Sequence, residues 1–176
     1  MQKFKFFLIL IASLVNISFA REEMFIFKDK KINTLYSEIN NSLNDFEIRV
    51  YKDVRGIVLT FYIEDILQEY SQLSEKTLKK IEKIEYFLAK FKNPVIIEVH
   101  TENFSSNVYS NLKKWEITTV VANEIEAILL RHGEVSRERI KSIGYGEFLP
   151  SKNTPYNGVK NTGRVDIIIL CNISGE

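Results

Sequence analysis

The side chains best placed to do chemistry follow an apolar stretch in the middle of the chain. Pro94, Val95, Ile96, Ile97, Glu98 and Val99 run into His100, Thr101, Glu102 and Asn103, with Ser105 close behind. An imidazole, a carboxylate and a hydroxyl this close together suggest an acid, a base and a nucleophile. The rest of the chain does not support catalysis: it has no nucleophile elbow, no phosphate loop and no paired metal ligands. Gly144-Tyr145-Gly146 lacks the third glycine and the helix of a dinucleotide site, and reads as a turn with close backbone approach. Cys171 is the single cysteine. Neither a disulfide framework nor a metal cluster is expected from it, and in its apolar run it reads as a small core residue. The chain is therefore read as non-enzymatic, without cofactor or metal, with polar groups that bind rather than react.

Elements must deliver those groups. A breaker at Pro94 followed by β-branched residues is the signature of a buried strand ending in a polar loop. Before it, Ser74 is placed to cap a helix, with Glu75 in the first turn. Leu78, Ile81, Ile84, Leu88 and Phe91 recur on one face of that helix, and Lys79, Lys80, Glu82, Lys83 and Glu85 form a solvated one. Asn93-Pro94 stops it. After the strand, a second helix is expected over residues 115–131, with Ile117, Val121, Ile125, Ile128 and Leu129 inward and His132-Gly133 as its stop. Trp115, near its start, reads as a core or rim anchor. Strands are predicted over 46–50, 57–63, 139–143 and 164–170, the first two joined by a turn at 52–56. Helix–strand–helix order puts the Pro94–Thr101 strand in the middle of an α/β layer. In such layers ligands gather at the carboxyl ends of strands.

The 176 residues, 45% hydrophobic, suffice for one ordinary core. Lys and Arg number 24 against 23 Asp and Glu, a net charge of +1 that argues against a nucleic-acid partner. Residues 1–20 have the plan of a secretory signal: Lys3 and Lys5, an apolar run from Phe6 to Val15, then Ser18-Phe19-Ala20. Cleavage is expected after Ala20, giving a periplasmic protein with no membrane span in its mature chain. The competing reading, an uncleaved anchor, needs a longer apolar run than this, since a spanning helix takes roughly 20 residues. Residues 21–44 read as a leader or linker and 45–176 as the main domain.

Four blocks in order carry a family resemblance. They are Val99-His100-Thr101-Glu102; Trp115-Glu116-Ile117-Thr118-Thr119-Val120-Val121-Ala122; Gly144-Tyr145-Gly146-Glu147-Phe148-Leu149-Pro150; and Thr162-Gly163-Arg164-Val165-Asp166-Ile167. Together they resemble the OmpA/MotB-like peptidoglycan-associating domain, whose blocks read G-H-T-D, L-S-x-x-R-A, G-Y-G-E-x-x-P and N-R-R-V-[DE]-I. The resemblance implies a β/α/β/α/β layer of α+β type, a mixed sheet with helices packed on one face. It also implies association with peptidoglycan in the cell envelope, and admits other envelope proteins as partners.

The departures are specific. The family's Asp is Glu102, its helix Arg is Val121, its Asn is Thr162 and its first paired Arg is Gly163, so that only Arg164 of that pair remains. In the family, acid and helix Arg resemble a clamp on the ammonium and carboxylate of diaminopimelate. Losing the Arg leaves a buried ligand carboxylate without its partner, a penalty of roughly 2–5 kcal/mol, or about 30- to several-thousand-fold in affinity. An ornithine- or lysine-type stem peptide has the distal ammonium and no distal carboxylate, and so suits Glu102 without an Arg. The binding residues implied are Thr101, Glu102, Asn103, Val121, Thr162 and Arg164, with Arg164 the candidate substitute for the lost cation. The alternative is an OmpA-like fold that has lost the ligand and serves as an envelope interaction or structural module.

Overall fold

The computed structural model describes residues 31–63, 73–101, 113–148 and 163–171. The expected signal peptide and residues 21–30 of the expected leader lie outside the described residues. The chain forms two compact units, residues 1–38 and 39–176. Residues 31–43 are helical (α1), and the described residues of the first unit all lie in this helix.

In the second unit, β1 (Arg49–Lys52) and β2 (Gly56–Ile63) are followed by α2 (Glu75–Lys90), β3 (Val95–Thr101), α3 (Lys114–Leu129), β4 (Ile140–Gly146) and β5 (Gly163–Leu170). The strands make one sheet in the order β1-β2-β5-β3-β4. Only β3 and β4 are parallel; the other pairs are antiparallel. This is the mixed sheet of the expected layer. Its central strands, β2, β5 and β3, are buried on both faces and so read as nearly continuous apolar runs.

Ser74 caps α2 as its sequence predicts, its side chain accepting a hydrogen bond from the Thr77 N–H at 3.2 Å. Ile81, Ile84 and Leu88 are buried, and so is Phe87. The predicted solvated face of α2 is only partly one. Lys80 and Glu85 are buried, because each has a partner across the fold: Lys80 Nζ lies 3.3 Å from Glu47 Oε2, and Glu85 meets His132 Nδ1 at 2.9 Å. Long charged side chains can bury their stems when their ends are paired. Arg139 ties the exit of α2 to the start of β3. Its guanidinium donates to the carbonyls of Asn93 at 2.9 and 3.1 Å and of Leu88 at 3.2 Å.

Two predicted strands shift. Residues 44–46 form a 3-10 turn rather than opening a strand, and Glu47 follows with φ 55°, in the left-handed region. That break delays β1 to Arg49. At the other end, β4 runs on through Gly144-Tyr145-Gly146 rather than turning there. The close backbone approach expected of these glycines is present. A Cβ on Gly144 would stand 2.2 Å from the Thr119 nitrogen, and one on Gly146 would stand 2.8 Å from the Trp115 nitrogen. The glycines thus let α3 lie directly on β4, and Thr118 Oγ1 accepts the Gly146 N–H at 2.9 Å. Gly146 also has φ 57°, which a larger residue adopts only with strain.

Candidate functional site

Strand alternation divides the chemistry between two faces. Directly paired residues on neighbouring strands project to the same side. Val99 pairs with Val165 and with Gly144, so these belong to the face that α3 covers. Thr101 pairs with Gly163 and joins that face. Thr101 is 2% exposed, and among the described residues its hydroxyl has no hydrogen-bond partner. Val121, from α3, is 1% exposed. Thr101 at the end of β3 and Val121 on the covering helix therefore belong to the same side of the sheet. Glu102, Asn103 and Thr162 lie outside the described residues, as does Ser105. Trp115 is an exposed rim residue at 47%.

Arg164 goes to the other face. It pairs with His100 and with Tyr62, and its Nε lies 3.0 Å from Asp166 Oδ2. It therefore does not share the face of Val121, where the family's helix Arg would stand.

On that second face the described residues form a polar cluster that sequence reasoning did not single out. Glu98 pairs with Asp166, His100 with Arg164, and Thr60 with Asp166. Thr60, Glu98, His100 and Asp166 are all buried. The Thr60 hydroxyl donates to Asp166 Oδ1 at 2.5 Å. Arg55 Nη1 donates to Glu98 Oε1 at 2.9 Å and Arg55 Nε to Asp53 Oδ2 at 2.9 Å. The Tyr145 ring stacks on the His100 ring, centroids 4.9 Å apart, and its hydroxyl reaches Glu98 Oε1 at 3.4 Å. Burial raises the Glu98 carboxyl, but His100 and Arg55 beside it outweigh burial and hold it below its ordinary range. Burial and the neighbouring Glu98 push the Tyr145 hydroxyl up. The signal was present in the sequence: Glu98-x-His100 and Arg164-x-Asp166 are polar residues at period two inside apolar strands.

The fold and these blocks define a class. The chain is similar to a MotB-like protein from Desulfovibrio vulgaris at TM-score 0.64 and 13% identity, covering 80% of this chain and 95% of that one. It is similar to the cell wall anchor of the type VI secretion system from Pseudomonas aeruginosa at TM-score 0.60 and 16% identity, covering 77% and 96%. At those identities the likeness is one of fold. An outer membrane protein from Borrelia burgdorferi B31 adds sequence: 31% identity at TM-score 0.52, over 71% of this chain and 98% of that one. The chain belongs to the OmpA-like family. No family model matches it, and no curated protein does. Among the described residues, no helix is long and apolar enough to cross a membrane.

Proposed function

We propose that this is a non-enzymatic, exported cell-envelope protein whose OmpA-like domain, residues 45–176, holds peptidoglycan by a stem-peptide amine. In this reading residues 1–20 direct export to the periplasm and 21–44 link the domain to them. The envelope setting is supported by the neighbours, one an outer membrane protein and another a cell wall anchor.

The observation that carries the ligand class is Val121. The helix position of the family's Arg holds an apolar side chain at 1% exposure, and Arg164, held to Asp166, lies on the opposite face of the sheet. No cation from either position meets a distal carboxylate. A diamino acid with an amine and no such carboxylate, of ornithine or lysine type, is the ligand that this site does not penalise. Glu102, one residue past β3, supplies the acid for the ammonium. Thr101, Asn103 and Thr162 supply neighbouring polar groups. Arg164 acts from behind, by ordering β5 through Asp166.

The test is retention of the full chain on purified sacculi, with competition by muropeptides of each type. Ornithine or lysine stems are expected to compete at least about tenfold better than diaminopimelate stems, and Glu102→Ala is expected to abolish retention. Tighter binding to diaminopimelate would overturn the ligand class.

One observation favours the second reading, a module that has lost its ligand. Thr101 and Val121 are both almost fully buried, as a closed pocket would require. Failure of every sacculus to retain the chain, with Glu102→Ala behaving as wild type, would establish it.

A further inference from the structure

The cluster on the second face of the sheet lies on the opposite side from Thr101 and Val121. Glu98, His100 and Asp166 each present one ligand-competent atom, and these atoms lie within 4.8 Å of one another. His100 is 4% exposed, yet among the described residues neither of its ring nitrogens has a hydrogen-bond partner. We propose that these three residues bind a divalent first-row transition-metal ion, of which Zn2+ is the type.

The spacing supports a metal over a hydrogen bond. His100 Nε2 lies 3.7 Å from Asp166 Oδ2 and 3.9 Å from Glu98 Oε2. Both distances exceed hydrogen-bond reach. An ion set among the three donors stands roughly 2–2.5 Å from each, the range of metal–nitrogen and metal–oxygen bonds once the donors close by a few tenths of an ångström. One imidazole and two carboxylates suit this class of ion, whereas thiolate-seeking metals would find no sulfur donor among the three.

The surroundings hold the donors in place. Arg55 occupies Glu98 Oε1 and Thr60 occupies Asp166 Oδ1, which turns the other oxygen of each carboxylate toward Nε2. Tyr145 stacked on His100 fixes the ring plane. Outer partners of this kind commonly orient metal ligands. Charge also favours a cation. Among the described residues the carboxylates of Asp53, Glu98 and Asp166 face the guanidiniums of Arg55 and Arg164, leaving one net negative charge when the imidazole is neutral. Arg164 Nε is the competitor for Asp166 Oδ2 at 3.0 Å, in an ion pair that is not aligned as a hydrogen bond, and it gives up that oxygen when the ion binds.

The experiment titrates the full chain, stripped by chelator, with Zn2+ by calorimetry and with Co2+ by visible absorption. One ion per chain, a cobalt ligand-field band and an upward shift of the thermal midpoint are expected. The chain has two histidines, so imidazole NMR resonances locate the ion without mutation: His100 should shift and exposed His132 should not. His132→Gln should bind as wild type, and His100→Gln should lose the ion. Saturation only above about millimolar Zn2+, a shift confined to His132, or a His100 ring that is simply protonated without binding metal would each overturn the proposal.

Discussion

Gly144 shows how a single residue type sets a packing distance. Its missing Cβ is what allows the Thr119 backbone to approach β4, and the nearest atom in the way, the Thr119 nitrogen, is backbone rather than a flexible side-chain end. Gly144→Ala should therefore force α3 off the sheet. A loss of about 3 kcal/mol or more in denaturant unfolding is expected; a loss below about 1 kcal/mol would mean that the helix is free to shift. Val121 works at the same scale in the opposite sense. Its one apolar side chain removes five hydrogen-bond donors from the position where the family places an arginine, which is the ground for the ligand class proposed above.

At the scale of the element, the β1–β2 hairpin depends on Asp53. Its Oδ1 accepts the N–H groups of Arg55 at 2.8 Å and Gly56 at 3.2 Å, a side chain substituting for backbone in a tight turn. Burial raises the carboxyl, but these bonds and the Arg55 guanidinium outweigh it and hold Asp53 below its ordinary 3.8. A lowered carboxyl stabilises the folded chain fully above that ordinary value, and the contribution disappears as pH falls through the folded one. Asp53→Ala should thus cost about 1 kcal/mol at neutral pH. The gap between wild type and variant should close below about pH 3.8. A gap of constant size across that range would show that the charge is not what holds the turn. The same hairpin places Arg55 against Glu98, so the turn that starts the sheet also shapes the cluster on its second face.

For the whole molecule, a net charge of +1 leaves little long-range attraction to any polyanion. If the domain holds the cell wall through one acid–amine pair removed from water, raising salt screens little of the interaction. Retention on sacculi should change by no more than about threefold from low salt to physiological ionic strength. A steeper loss would indicate a diffuse surface interaction in place of the single pair. At the level of architecture the chain shares its fold with a MotB-like protein and a cell wall anchor.

The order of elements was legible in the chain itself. Period-3.6 apolar positions marked α2 and α3, Ser74 marked a cap, and β-branched runs marked β2, β3 and β5, because these signals are local and each residue carries its own. The replacement of the family's Arg by Val121 was legible too, since a motif is a local pattern. Local patterns did not show that Phe46 ends a 3-10 turn, or that β4 continues through its glycines, because those outcomes rest on Glu47's left-handed backbone and on the approach of α3. Nor did they show which side chains meet. Period two tells that Arg164 and Asp166 share a face, but only the insertion of β5 between β2 and β3 puts Asp166 beside Thr60, 106 residues away in sequence, and beside Glu98. Strand neighbours are chosen by long-range pairing, so that choice, made by the tertiary structure, is what turned scattered polar residues into a buried cluster and set Arg164 apart from Val121.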